Sequence, residues 1–298
     1  MKHPGMTLEQ LRIFIAVATR EHVTRAAEAL NLTPSSVSQA VTGLETELGL
    51  ALFSRVGRHI ELTEPGRIFL DEARAVLARA SAARQRMEDL GDLRSGLLPV
   101  RASQTIASYW LPARLNAFQD RYPGIEIRMM TGNTAEVCQS VQDGTVSVGL
   151  VEGELLRPDL IFSEVARDQM ILVTSPRHPW ATTPPTLADL PASNWILRET
   201  GSGTRSEFEE ALTHAGLDPK SLPVRMELPS NEAVASAIET GHAASVLSAS
   251  VVAGKLDAGL LCHIPFPLPE RRFSLVRHRS RHTSPAETAF IRLLRNMT

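Results

Sequence analysis

The chain has 298 residues, 43% hydrophobic and 21% charged, and its 31 basic and 33 acidic side chains leave a formal charge of −2. At about one to two hundred residues per domain, that length predicts two domains or slightly more, each able to bury a core. Disordered, collagen-like and disulfide-framework chains are excluded, and the near-neutral balance names no partner. No apolar stretch approaches the roughly 18 residues of a membrane span, so no membrane partner is expected. The opening "MKHPGMTLEQLRIF" lacks the apolar core and small-residue cleavage site of a secretory signal, and the expected location is the cytoplasm. Cys138 and Cys262 fit a reducing compartment. Neither C-x-x-C nor H-E-x-x-H occurs and the histidines show no ligand spacing, so no metal and no cofactor is expected.

Residues 7 to 91 read as helical almost throughout. Thr7 to Gln10 is a capping-box pattern, after which Leu8, Leu11, Phe14, Ile15 and Ala18 recur at helical spacing. A short helical run covers 23 to 30. Thr33-Pro34 then reads as an N-cap with proline in the first turn of a third helix, striped by Val37, Val41, Leu44 and Leu48 and ended by Gly49. "LFSRVGRHIELT" predicts a small β-ribbon with Gly57 at a basic tip. Thr63-Glu64-Pro65 caps a long helix whose Ile68, Ala73, Val76, Leu77, Ala80, Met87 and Leu90 are expected to share one face. To Leu90 that helix would span about 40 Å. A helix so long and Ala-rich usually needs a partner to cover its stripe.

Residues 91 to 99 form a linker, and the remainder changes character. β-rich runs alternate with helical ones in the rhythm of an open parallel sheet, through "VSVGLVEG". The rhythm resumes with 195 to 199, a helix near 204 to 215, a strand at 224 to 228 and a helix from Asn231 to Thr240. Twin α/β lobes are predicted.

Two short helices separated by about three residues are a helix-turn-helix candidate, with Ala26 and Ala27 small enough for a close crossing. The helix from Pro34 turns polar side chains outward, and in a DNA-reading helix that N-terminal half meets the major groove. Hydroxyls can bond phosphates or base edges, and Gln39 can bond adenine N6 and N7. The candidate DNA-contacting residues are Arg25, Thr33, Ser35, Ser36, Ser38, Gln39, Thr42, Arg55 and Arg58. They could equally be ordinary polar residues of a solvated helix, and residues 1 to 91 carry 11 basic and 11 acidic side chains, with none of the usual positive footprint.

"LEQLRIFIAVA", "TRAAEALNLTPSSVSQAVTGLETELGLALFSR" and "LTEPGRIFL" closely resemble the N-terminal domain of LysR-type transcriptional regulators, and the resemblance extends over nearly the whole chain. It implies an α plus α/β protein: a winged helix-turn-helix (1–63), a linker helix for dimerisation (64–91) and a two-lobed effector domain like that of periplasmic binding proteins (92–298). The first lobe would comprise 92–166 and 271–298, the second 167–270. The resemblance further implies Pro34 as the start of the recognition helix, Arg55 to His59 as the wing, and an antiparallel coiled coil pairing two chains, with dimers associating into tetramers. The implied partners are double-stranded promoter DNA with dyad symmetry, RNA polymerase and a small-molecule coinducer.

Inducer pockets of such domains lie between the lobes, where strand ends and helix N-termini favour anions. The junctions here offer Ser103 and Thr105, then Asn133 and Thr134, then Glu152. In the second lobe they offer Ser202, Gly203, Thr204, Arg205 and Asn231. A hydroxyl or amide at a helix start is also explained as an N-cap, worth about 1 kcal/mol. "GSGTRS" is the most informative, a plausible anion nest. By resemblance Ser103, Thr105, Asn133, the "GSGT" loop and the "NEA" helix are effector contacts, and the subgroup is that of cysteine and sulfur assimilation and carbon-fixation regulators. The expected coinducer is a small anion. Glu152 would repel it unless Arg205 or Arg198 pairs with that carboxylate.

Three alternatives are set against this. A thiol switch would use Cys138 or Cys262, yet neither is marked as a low-pKa thiol. An enzyme would need a nucleophile with its base or a metal, and no G-x-S-x-G occurs, so none is expected. A solute-binding protein would lack the helical N-terminal domain.

Overall fold

A computed structural model describes residues 5–56, 59–88, 96–153 and 157–297. They divide into two compact units, the first running to Glu88 and the second holding nearly all of the rest.

In the first unit, α1 (Leu8–Arg20) opens on the anticipated capping box, Thr7 and Gln10 bonding reciprocally. α2 (Val23–Leu30) ends at Asn31, a non-glycine residue in the left-handed region at φ 55°, which turns the chain toward α3 (Pro34–Leu48). Ala26 and Ala27 are fully buried there with Ile13, Val17, Val37 and Val41, so the small side chains do set the helix crossing. Gly49 closes α3 at φ 67°, a conformation that costs glycine nothing. Strands β1 (Phe53–Val56) and β2 (His59–Leu62) pair antiparallel as the wing. Thr63 Oγ1 accepts from Gly66 N at 3.0 Å and caps α4 (Glu64–Glu88).

The expected single stripe of α4 is corrected. Phe69, Leu70, Ala73 and Leu77 pack against Leu11, Phe14 and Leu44, whereas Ile68 is 63% and Val76 41% exposed. Five residues from 68 to 73 advance about 140° around a helix, too far for one face. The long helix therefore has two apolar faces, one inward and one outward. Met87 and Leu90 lie where no side chains are described.

The second unit is built on a sheet of nine strands among the described residues, in the order β4-β3-β5-β11-β6-β9-β7-β8, with β10 also on β6. The first lobe contains β3 (Gly96–Ser103), α5 (Leu111–Arg121) after a π-helical turn at Ile106–Trp110, β4 (Ile125–Gly132), α6 (Thr134–Asp143) and β5 (Val148–Glu152). β6 (Leu160–Thr174) crosses into the second lobe, which contains β7 (Asn194–Arg198), α7 (Gly203–His214), β8 (Val224–Leu228), α8 (Asn231–Thr240), β9 (Ala243–Ser248), α9 (Ala249–Asp257) and β10 (Cys262–Ile264). β11 (Glu270–His278) returns, and α10 (Pro285–Asn296) packs on the first lobe with α5, through Phe118 and Phe290.

The open parallel sheet of the sequence pattern is corrected in the same way. β3, β4 and β5 are parallel, as are β7, β8 and β9, but β11 runs antiparallel to both β5 and β6, and β6 antiparallel to β9. A chain that crosses between lobes twice must send one strand back, and a returning strand beside an outgoing one is antiparallel. At the crossing, Arg167 and Asp168 on β6 face Arg272 and Arg271 on β11.

Enlarging the helix crossing in the first unit should be costly. Ala26→Leu is expected to lower its stability by about 1–3 kcal/mol through overpacking, read by thermal melting of the full chain. An unchanged melt would refute the close crossing.

Candidate functional site

The exposed face of α3 is the first candidate. Ser38, Gln39 and Thr42 stand solvent-exposed, with no side-chain hydrogen bond recorded for any of them among the described residues, and with Gln10 of α1 they border a shallow depression of about 530 Å³. Ser35 and Ser36 are exposed too, but their hydroxyls lie 2.9 and 2.8 Å from Thr33 Oγ1, which also accepts from Ser36 N. These three form a cap first, as helix-start hydroxyls do. Arg25 is exposed on α2. Arg58 and the side chain of Arg55 lie outside the described residues. Glu45 accounts for part of the neutral charge balance: its Oε1 accepts from Leu52 N at 2.8 Å and Phe53 N at 3.1 Å, fastening the wing to α3 rather than facing outward.

The second candidate lies between the lobes of the second unit. Its centre is Arg271, 1% exposed, which sequence reading did not single out. Nε donates to Asp168 Oδ2 at 2.7 Å, and Nη2 lies 2.6 Å from the same oxygen. Asp168 also accepts from Ser248 Oγ at 2.7 Å. The rest of the guanidinium reaches both lobes: Nη1 donates to Thr204 Oγ1 at 2.9 Å and Nη2 to Thr105 Oγ1 at 3.4 Å. The signal available in the sequence was a charged residue inside each of two apolar strand patterns, "VARDQMILV" and "RRFSLV".

Three of the anticipated residues keep a hydroxyl proton that no acceptor takes among the described residues, and two of them, Thr105 and Thr204, meet at Arg271. Ser103 Oγ is buried, at 2% residue exposure, without a hydrogen-bond partner among the described residues. Thr105 Oγ1 accepts from both Arg271 and Asn231 Nδ2, and Thr204 Oγ1 accepts from Arg271, so each hydroxyl proton is left to another acceptor. Ser202 occupies the N-cap of α7 but makes no capping bond, which leaves the first N–H groups of that helix uncapped by a side chain. Gly203 lies close against the other lobe: a Cβ on it would lie 2.4 Å from Glu152 O and 2.6 Å from Thr134 Oγ1.

The other anticipated residues do different work. Thr134 Oγ1 is occupied in donating to Glu152 O at 2.9 Å. Asn133 caps α6 by accepting from Glu136 N, and its Nδ2 donates across the cleft to Glu199. Asn231, fully buried, is a latch: its N–H donates to Gln104 Oε1 at 2.7 Å and its Oδ1 accepts from Arg198 at 2.6 Å. Arg205 is corrected as a ligand-facing cation, because it is committed to Glu209, Glu227 and the carbonyl of Arg198. The partner of Glu152 is likewise neither Arg205 nor Arg198 but Arg271, at 4.0 Å.

Cys138 is buried among Val137, Val141 and Val151, and burial pushes its thiol up to about 11. Cys262 packs beside the core of the other lobe. Among the described residues no group of His, Cys, Asp and Glu could hold a metal ion, and no helix is long and apolar enough to cross a membrane.

Comparison with known proteins bears on both candidates. Residues 8–67 match the bacterial regulatory helix-turn-helix protein, lysR family, and residues 91–298 match the LysR substrate binding domain. The uncharacterized HTH-type transcriptional regulator YeiE of Escherichia coli (strain K12) is 37% identical over 289 residues, 96% of each chain. A probable RuBisCO transcriptional regulator of Cyanophora paradoxa is 31% identical over 290 residues, 95% of this chain and 90% of its own. The crystal structure of full-length CbnR complexed with its target DNA superposes with a TM-score of 0.70 at 24% identity, covering 98% of this chain and all of that one, a likeness of fold.

Asp168→Ala would strand a buried guanidinium, and a loss of about 3–5 kcal/mol in unfolding free energy is expected. Denaturant titration checks it. In native protein at neutral pH, maleimide should leave Cys138 unmodified until the chain unfolds, since a thiol held near 11 carries almost no thiolate. Rapid labelling of Cys138 would reinstate the thiol switch.

Proposed function

The chain belongs to the LysR family of transcriptional regulators, and from that premise we propose that it binds dyad promoter DNA as a homo-oligomer under the control of a small anion held between its two lobes. The observation that carries the anion is the donor set of the cleft. Thr105 and Thr204, both on the buried Arg271 guanidinium, and Ser103, two residues before Thr105 at the end of β3, each retain a hydroxyl proton without an acceptor among the described residues. The start of α7 that carries Thr204 has no side-chain cap. Donors converging without acceptors suit a ligand rich in lone pairs, and helix N-termini favour negative charge.

Ligand exchange would act through the lobes' mutual contacts. Asn231 with Gln104 and Thr105, Asn133 with Glu199, and the backbone bond from Ala135 N to Gly201 O all join one lobe to the other. A ligand that prefers this arrangement shifts the equilibrium toward it in proportion to its differential affinity. The protein acts in this reading as a binding module without catalysis of its own. The outward pair Ile68 and Val76 on α4 supports a partner helix, hence the dimer. Likeness to a probable RuBisCO regulator favours the carbon-fixation side of the family. RNA polymerase is the partner that an activator of this kind would engage.

Selection of bound fragments from genomic DNA at two salt concentrations, followed by sequencing, is expected to enrich dyad sites. Gln39→Ala should weaken specific binding by about 1–3 kcal/mol, the worth of a bidentate base contact, with the salt dependence unchanged. Arg25→Ala should instead reduce the salt slope. Ser103→Ala is expected to abolish the effect of anions on the footprint while leaving DNA binding intact. Identical footprints with and without a calorimetrically bound anion would sink the coinducer reading.

A further inference from the structure

The donors of the cleft face one group of the opposite kind. Glu152, the last residue of β5, is 3% exposed, and its Oε1 sits 4.0 Å from Arg271 Nη2. That guanidinium is already bound through Nε and Nη2 to Asp168 at 2.6–2.7 Å, so most of its charge is spent there. Arg198 is held by Glu199 and Asn231, and Arg205 by Glu209 and Glu227. The further carboxylates around the cleft are Glu207 of α7, whose Oε1 lies over Gly153, and Glu232 of α8, bound to Gln104 and Tyr109. Glu152 therefore has only a distant share of one cation among the described residues.

Nor can Glu152 withdraw easily. Its carbonyl accepts from Thr134, and a Cβ on Gly203 would sit 2.9 Å from Glu152 Cβ, so the start of α7 presses directly on this residue. An anion received by Thr105, Thr204 and the helix start meets this carboxylate at close range, because the same guanidinium touches both hydroxyls and lies nearest to Glu152. Two negative groups brought together out of water repel each other unless a hydrogen bond from one to the other joins them.

Resting on the anion reading above and deepening it, we propose that Glu152 is the specificity-determining acceptor of the cleft, and that its ligand is an oxyanion bearing a hydroxyl. The oxyanion oxygens take the donors, and the ligand O–H donates to Glu152. A partly protonated inorganic oxyanion and a hydroxy carboxylate share this chemistry. An anion without an O–H places lone pairs against the carboxylate and is rejected, as a site built around one hydrogen bond rejects the analogue that lacks it.

The test is calorimetry on the full chain at pH 7.5 with two matched pairs. Phosphate, which keeps a P–O–H at that pH, is set against sulfate, which keeps none; malate is set against succinate. The hydroxyl-bearing member of one pair is expected to bind roughly 100-fold more tightly, the order of a hydrogen bond to a charged group. The pair that discriminates identifies the source as inorganic or organic. Glu152→Gln, whose amide donates as well as accepts, should erase the preference, while Glu152→Asp should keep its order. Circular dichroism confirms that each variant is folded, and Glu152→Asp serves where Glu152→Gln is not. Equal binding within both pairs, or a preference that survives in folded Glu152→Gln, overturns the assignment and leaves the anion reading standing. If none of the four anions binds, the anion reading falls with it.

Discussion

Everything in the effector domain turns on the buried pair of Arg271 and Asp168. A guanidinium almost without contact with water must be paired, or the domain forfeits several kcal/mol. The pairing can be made only where β11 passes β6, because Asp168 and Arg271 are cross-strand partners there. The requirement therefore fixes the register at which the chain crosses between lobes. It also leaves the remaining guanidinium nitrogens pointing at Thr105 of one lobe and Thr204 of the other. Crossing strands and a hydroxyl from each lobe are held by one side chain, so a change at either hydroxyl is felt where the lobes are joined.

Around that centre, the same residue types divide into two duties. Ser230, Ser248 and Ser284 accept from backbone N–H groups and cap their helices. Ser202 stands in the equivalent place before α7 and does not. Capping consumes the lone pairs of a hydroxyl and the N–H groups of the helix together. A helix start that is to receive an anion has to forgo it, and α7 is the helix whose first residue, Gly203, lies against Glu152. Asn231 shows the converse: wholly satisfied by Gln104, Thr105 and Arg198, it joins the lobes and offers nothing to a ligand.

The DNA-binding domain meets a different constraint. It is neutral because its acids match its bases in number, and one of those acids, Glu45, is used inside the domain to hold the wing. Attraction to phosphate per subunit is correspondingly modest, and affinity grows by linking several domains on one DNA. The outward apolar face of α4 provides the means, since Ile68 and Val76 have no place in the core of their own domain.

The local elements were legible because their causes are local. Capping box, Thr33-Pro34, Gly49 and the 3.6-residue stripes act within a few residues of one another, and the helices start and stop as those signals require. What the sequence could not decide was anything set by two distant segments meeting. The antiparallel return of β11, the split of the α4 stripe, and the diversion of Arg205 and Asn231 from ligand to structure all depend on partners far along the chain. Arg271 and Asp168 stand about a hundred residues apart. Each looks like a misplaced charge until folding puts them 2.7 Å from one another. Periodicity records which face of an element is buried, and only the tertiary structure records against what.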